Sequence, residues 1–329
     1  MEKAVEQVFT NEILAKGATL FGVAPEALEK IGDFESYLYS GLKDGEQIIL
    51  RFTHSSHRSY EQMFAEVSWV KFLKEEGVNV YRHFSSSNNS YIESLRASDR
   101  TEFYAVCIEK LPGKQISWRD IENDPHYAYE WGAVIGKLHK ITRNYSIPDH
   151  SVPRPEWDEE ELFHIENYKH DIGNEVLEYR NKVLKDISNL PRNEHTYGLI
   201  HSDLHSGNFH VHEGEIYLFD FDDCSYHFFA SDIAIPLYYI LFSRDFHTQQ
   251  GRQEFAESFF NQFVSGYRSQ NELPEQTLDS IPLFLRLRDI VLLSVLYKKF
   301  DFENLSQHEQ AFFEAVKKRV ENQEVIISF

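Results

Sequence analysis

An α+β chain in two lobes, a first built on a small antiparallel sheet with one packed helix and a second that is larger and mainly helical, is predicted by three observations. Short runs rich in aromatic and β-branched residues, joined by an Asp-Gly turn, fill much of the first 110 residues. Apolar residues at helical spacing dominate the later part of the chain, as at Trp131, Val134, Ile135 and Leu138 and again at Ile290, Leu293, Val295 and Leu296. Between the two patterns stands Leu111-Pro112-Gly113, a break that ends the last strand of the first part. The boundary therefore falls between a first lobe of residues 1–110 and a second of 111–329.

The elements come in this order. Val5, Val8, Phe9 and Ile13 recur on one face and predict a helical opening over the first 30 residues. Residues 34–40 and 46–52 read as strands, and Asp44-Gly45 between them predicts a hairpin, because both positions of its tight turn need a positive φ. From Tyr60 to Glu76 the period is helical, with Met63, Val67 and Val70 on one face and Gly77 as the stop. Glu66 shares that apolar face, so its carboxylate requires a partner there. Residues 102–109 predict another strand, and Phe209 to Phe219 a hairpin turning at His212-Glu213-Gly214. Arg286, Arg288 and Asp289 read as salt-bridging residues of one helix, with a substrate role for the two arginines as the alternative.

With 329 residues, 33 Lys+Arg and 53 Asp+Glu, the formal net charge is −20. That sign opposes binding to nucleic acid or to an anionic membrane surface and favours a cationic or small polar ligand. Two cysteines are too few for a disulfide framework or a Cys-rich zinc site. The N-terminal stretch lacks the apolar core of a secretion signal, and the longest apolar runs fall well short of the roughly 20 residues that span a bilayer, so the expectation is a soluble cytoplasmic protein.

The chemistry is concentrated in residues 198–223, where His201, Asp203, His205, Asn208, Asp220, Asp222 and Asp223 surround two alternating strands. A hairpin centred near Gly214 sets position 208 opposite position 220, and cross-strand neighbours lie about 5 Å apart, so the Asn208 amide oxygen and the Asp220 carboxylate converge on one hard cation. One amide and one carboxylate make a poor cage of their own but suit magnesium, which takes its remaining ligands from water and substrate phosphates. A carboxylate at Asp203 beside that ion would orient and deprotonate an alcohol for in-line attack on a phosphoryl group.

His201-Ser202-Asp203-Leu204-His205-Ser206-Gly207-Asn208, followed by Asp220-Phe221-Asp222, resembles the catalytic loop and metal-binding Asp of the aminoglycoside phosphotransferase and choline kinase superfamily, which shares the protein-kinase-like fold. Ile48-Ile49-Leu50-Arg51 resembles the strand whose basic residue grips the nucleotide phosphates, and Glu66 the helix glutamate that holds it. Residues 107–113 resemble the adenine-binding linker, and Ser231-Asp232-Ile233-Ala234 the family's Asp-Leu-Ala helix start. The resemblance implies an ATP- and magnesium-dependent phosphotransferase with a nucleotide-binding first lobe and an acceptor-binding second lobe. It makes Asp203 the base, Asn208 and Asp220 the magnesium ligands, Arg51 the phosphate clamp held by Glu66, and the backbone from Glu109 to Leu111 the adenine contact. His201 would brace the loop through hydrogen bonds.

Three departures qualify the resemblance. Arginine replaces the lysine of protein kinases at Arg51, keeping the charge and adding a fork. No Gly-x-Gly-x-x-Gly loop precedes it, which leaves Ser36 as the candidate phosphate contact in the first hairpin. Asp222 replaces the glycine after Asp-Phe, Ser202 the loop arginine, and no Ala-Pro-Glu follows, which favours a small-molecule acceptor over a protein. Asp222 and Asp223 would then meet a cationic group of the substrate, and His205 lies close enough in sequence to touch it. Three alternatives stay open at this level: a bacterial stress-type protein kinase of the same superfamily, a nucleotide-binding pseudokinase, and a metallohydrolase built on His201, Asp203 and His205.

Overall fold

A computed structural model describes residues 3–149, 151–244, 246 and 248–327. The chain forms two compact units: Met1–Lys114 with Asn144–Arg154 and His210–Asp222, and Gln115–Arg143 with Pro155–Phe209 and Asp223–Phe329.

The first unit begins with two short helices rather than one long one, α1 (Lys3–Val8) and α2 (Asn11–Leu20). The break is local: Thr10 adopts an extended conformation and its side chain accepts a hydrogen bond from the Ile13 amide, which starts α2 afresh. Within the 30 residues expected to be helical, the chain also makes the first edge strand, β1 (Glu29–Gly32). The hairpin of β2 (Ser36–Lys43) and β3 (Glu46–His54) follows, with Asp44 at φ 52° and Gly45 at φ 87°. α3 (Tyr60–Glu75) opens on a capping box between Ser59 and Gln62, and Gly77 at φ 79° follows its end. β4 (His83–Phe84), β5 (Glu93–Arg96) and β6 (Glu102–Glu109) complete an antiparallel sheet of order β1-β2-β3-β6-β4, with β5 also on β6. Arg51 is set opposite Leu38 and Val106 in this sheet. Phe9, Phe52 and Phe103 pack together on the α1 and α2 side, while Met63 and Val67 of α3 pack with Val106.

The second unit carries α4 (Trp118–Asn123), α5 (His126–Thr142), α6 (Asn174–Ser188) and a two-stranded ribbon that begins with β7 (Tyr197–Ile200). The hairpin strands β8 (Phe209–His212) and β9 (Glu215–Leu218), which from His210 onward belong to the first unit, pair as expected, turning through Glu213 at φ 52° and Gly214 at φ 85°. The ribbon's other strand is β10 (Ser225–Phe228), and this β7–β10 pairing is a second exception to the helical character of the chain's later part. α7 (Phe229–Phe242), α8 (Gln249–Gln270), α9 (Glu275–Lys299) and α10 (Gln307–Glu321) complete the second unit. α5 and α8 touch backbone to backbone: a Cβ on Gly132 would lie 1.9 Å from the Phe263 carbonyl oxygen, and one on Gly266 1.8 Å from that of Tyr129. No helix among the described residues is long and apolar enough to cross a membrane.

Candidate active site

In the first unit the buried Arg51 donates through one nitrogen, Nη2, to both oxygens of Glu66, at 2.7 and 2.8 Å. The Tyr81 hydroxyl adds a longer bond to the same carboxylate at 3.4 Å. Alternation along β3 turns Arg51 to the face that α3 covers, and the helical period brings Glu66 there, so the carboxylate on the apolar stripe finds its partner as the sequence requires. Burial alone would lower the Arg51 pKa, but Glu66 outweighs it and keeps the guanidinium charged. Ser36 opens β2, and its hydroxyl shares a 2.8 Å hydrogen bond with Thr53. At the end of β6 the Glu109 and Lys110 amides donate to the Arg82 and Gln47 carbonyls, and Leu111 is buried.

Phe221 anchors the segment after β9, packing edge-on to Trp69 and Tyr81. It is flanked by Asp220, exposed and held at φ 63°, a left-handed backbone that aspartate tolerates better than most residues. Asp222 is buried, and the cation that its burial demands comes from the chain itself. His57 Nε2 lies 2.8 Å from Oδ2, and Arg58 donates to the same oxygen through Nε at 3.0 Å. Burial alone would raise the Asp222 carboxyl, but His57 and Arg58 hold it far below the usual carboxylate range. Arg154 also donates to the Asp222 backbone carbonyl. These partners replace the substrate cation that the sequence pattern leads one to expect at Asp222.

In the second unit residues 201–208 form a loop held from several sides. Asp232, buried at the start of α7, accepts the backbone amides of His201 and Ser202 at 3.0 and 2.8 Å, with Ser202 at φ 70°. His139 lies 3.3 Å from Asp232 through Nε2 and 2.9 Å from the Tyr267 hydroxyl through Nδ1. Gln115 donates to the Gly207 carbonyl at 2.7 Å. The His201 ring accepts the Asp203 amide at 3.4 Å. Asn208 donates through Nδ2 to the Asp203 carbonyl at 2.8 Å and to its Oδ2 at 3.3 Å. That fixes the orientation of the amide and directs its oxygen, Oδ1, away from Asp203.

Asp203 is the focus of this loop. Arg288 on α9 donates through Nη2 to Oδ1 at 2.6 Å. His205 Nδ1 accepts the Gly207 amide at 2.9 Å, which leaves the proton of a neutral ring on Nε2, the atom 3.4 Å from Asp203 Oδ2. Burial would raise the Asp203 carboxyl, but Arg288, then His205 and His201, outweigh it and hold it below its ordinary value. Tyr239 on α7 completes the cluster: its hydroxyl accepts from Arg288 Nε at 3.1 Å, and its ring lies 5.0 Å from that of His205. Asp223 is exposed, and its charge raises the Tyr239 pKa along with burial and Asp203. The reading of Arg288 and Asp289 as partners within one helix is corrected here: Arg288 reaches Asp203, while Asp289 pairs with Arg319 of α10 at 2.7 Å. Tyr239, His57 and Arg58 are partners that the sequence pattern does not supply; Arg288 is singled out there, but its pairing with Asp203, 85 positions away, has no local signal.

Asn208 Oδ1 in the second unit and the Asp220 carboxylate in the first are each an oxygen donor of the kind that a hard cation takes. His201, Asp203 and His205 do not bring three ligand atoms together among the described residues, so zinc on them does not fit. Among the described residues the only cluster of three such side chains is Glu35, His57 and Asp222, where Arg58 occupies the same Asp222 oxygen.

Residues 30–273, which carry both the loop around Asp203 and the buried Arg51–Glu66 pair, match the model of the phosphotransferase enzyme family. The chain belongs to that family and is a small-molecule kinase that moves phosphate to a hydroxyl group. It is 31% identical to amicoumacin kinase of Bacillus subtilis (strain 168) over 330 residues, covering all of this chain and 97% of that protein. Its fold superposes on a solved amicoumacin kinase in complex with AMP-PNP, calcium and Ami with a TM-score of 0.94 at 33% identity, covering 100% and 98% of the two chains. A microcompartment-associated aminopropanol kinase shares the fold, with a TM-score of 0.76 at 19% identity over 95% of each chain.

Proposed function

We propose that the protein transfers the γ-phosphate of ATP, with magnesium, to a hydroxyl of amicoumacin or of a small amino-bearing alcohol close to it in chemistry. The observation that carries this reading is Asp203, a carboxylate kept ionised in a loop that Asp232 and Asn208 hold by hydrogen bonds. The likeness to amicoumacin kinase along the full length of the chain supports the acceptor class, and the AMP-PNP and calcium bound to the similar structure support a nucleotide and a divalent ion.

Asp203 accepts a hydrogen bond from the acceptor hydroxyl, aligns its oxygen for in-line attack and takes its proton as the new O–P bond forms. Arg51, held by Glu66, neutralises charge on the nucleotide phosphates. Ser36 and the backbone from Glu109 to Leu111 are assigned to the nucleotide, and His205 and Asp223 to the acceptor side. Asn208 and Asp220 are assigned as the residues that would hold the magnesium ion, which would screen the negative charge of the phosphate oxygens.

Incubation with amicoumacin, ATP and magnesium, read by mass spectrometry, should give a product heavier by one phosphoryl group. EDTA should abolish it and added magnesium restore it. If neither amicoumacin nor a panel of amino alcohols and hydroxy amino acids gains a phosphoryl group, the acceptor class is wrong; turnover indifferent to EDTA would remove the metal.

A further inference from the structure

Both carboxylate oxygens of Asp203 are engaged, Oδ1 by Arg288 and Oδ2 by His205 and Asn208. The charge of Asp203 is therefore compensated where it stands, and an ammonium group brought beside the pair would meet Arg288 as a repelling neighbour. An oxygen acceptor would be attracted instead. Arg288 is oriented for such a contact: Nε is spent on the Tyr239 hydroxyl, Nη2 on Asp203, and the guanidinium lies 4.9 Å from the Tyr239 ring centroid. Nη1 makes none of these bonds, and the side chain keeps 19% of its surface exposed, next to an Asp203 that keeps 22%. In the planar fork an oxygen bound at Nη1 sits beside the group bound at Nη2.

We propose that Arg288 determines acceptor specificity: while Nη2 holds Asp203, Nη1 binds a carboxylate or carbonyl oxygen of the acceptor, carried on the carbon next to the reacting hydroxyl's carbon or one further along. The preferred substrates are then hydroxy compounds with such an oxygen beside the phosphorylated hydroxyl, and plain amino alcohols are the poorer class. This rests on the functional reading above, which supplies Asp203 as the group that receives the hydroxyl.

The test uses acceptors that differ only by a carboxylate: serine and isoserine against ethanolamine, and threonine against 1-aminopropan-2-ol. Amicoumacin serves as the reference substrate. The wild-type enzyme should favour the carboxylate-bearing members in kcat/KM by about tenfold or more, the worth of one hydrogen bond to a charged group. Arg288→Gln and Arg288→Lys, each confirmed as folded by its thermal midpoint, should bring that ratio close to one whatever their overall loss of rate, because lysine restores the charge but not the fork. If only amicoumacin turns over, both variants should raise its KM at least about tenfold, the same bond lost from binding, with a smaller change in kcat. A wild-type preference for the plain amino alcohols, an unchanged ratio in both variants, or an amicoumacin effect confined to kcat overturns the assignment. No turnover of any acceptor, amicoumacin included, overturns the functional reading and this inference with it.

Discussion

Arg51 and Arg288 are both arginines paired with a carboxylate, yet the two regions use the pair in opposite senses. In the first unit Arg51 and Glu66 are buried, with side-chain exposures of 8% and 0%, and Glu66 gives both oxygens to one nitrogen. There the carboxylate serves the arginine: the buried glutamate fixes where the positive charge stands. In the second unit Arg288 and Asp203 are partly exposed, and each divides its bonds among several neighbours. Here the arginine serves the carboxylate, holding it ionised while leaving it within reach of solvent. Burial separates a closed pair from one open to solvent more clearly than the chemistry of the pair does.

The sharpest way to break this contrast is at the working carboxylate. Asp203→Asn should lower kcat by about 10²–10⁴-fold, the usual worth of a positioned base, with the thermal midpoint close to wild type. A variant within tenfold of wild-type kcat would remove Asp203 from the chemistry. Next comes the clamp, where Glu66→Ala leaves Arg51 buried without its partner and should cost about 3–5 kcal/mol in a denaturant titration. A loss under about 1 kcal/mol would mean that water or another group compensates Arg51.

Two buried histidines extend the comparison to pH. Burial, with the Arg51 and Lys71 charges, pushes His83 in the first unit down to about 3, and neither of its ring nitrogens has a hydrogen-bond partner among the described residues. Burial pushes His227 in the second unit down to about 3 as well, with Arg192 adding to the shift and Asp232 opposing it. The unfolded chain takes a proton on each ring near its ordinary pKa of about 6.5, whereas the folded chain resists until about 3. Stability contributed by the neutral rings is complete above that window and is lost as pH falls through it, at up to about 1.4 kcal/mol per pH unit for each ring. His83→Phe should shallow the slope between pH 6 and 4 in a set of melting curves; an unaltered slope would show that His83 titrates normally. The smallest expected effect is at the start of the helix that carries Glu66. Ser59→Ala removes the side-chain half of the α3 capping box and should cost about 1 kcal/mol in the same titration, with no change in KM for the acceptor.

Much of this molecule was determined by local sequence. Asp44-Gly45 fixed one hairpin and Glu213-Gly214 the other, because each turn needs positive φ at residues that accept it. The period of α3 placed Glu66 among apolar residues, where only a cation on the facing strand satisfies it. The residues from His201 to Asp222 resemble the family to which the chain belongs closely enough to point to it. Tertiary structure decided which charge meets which: Arg288 reaches Asp203 across 85 positions, and Arg58 and His57 reach Asp222 across 164 and 165. A carboxylate in a motif announces that it will be paired, since burial without a partner is costly. Which cation answers depends on how elements far apart in the chain pack, and periodicity carries no record of that.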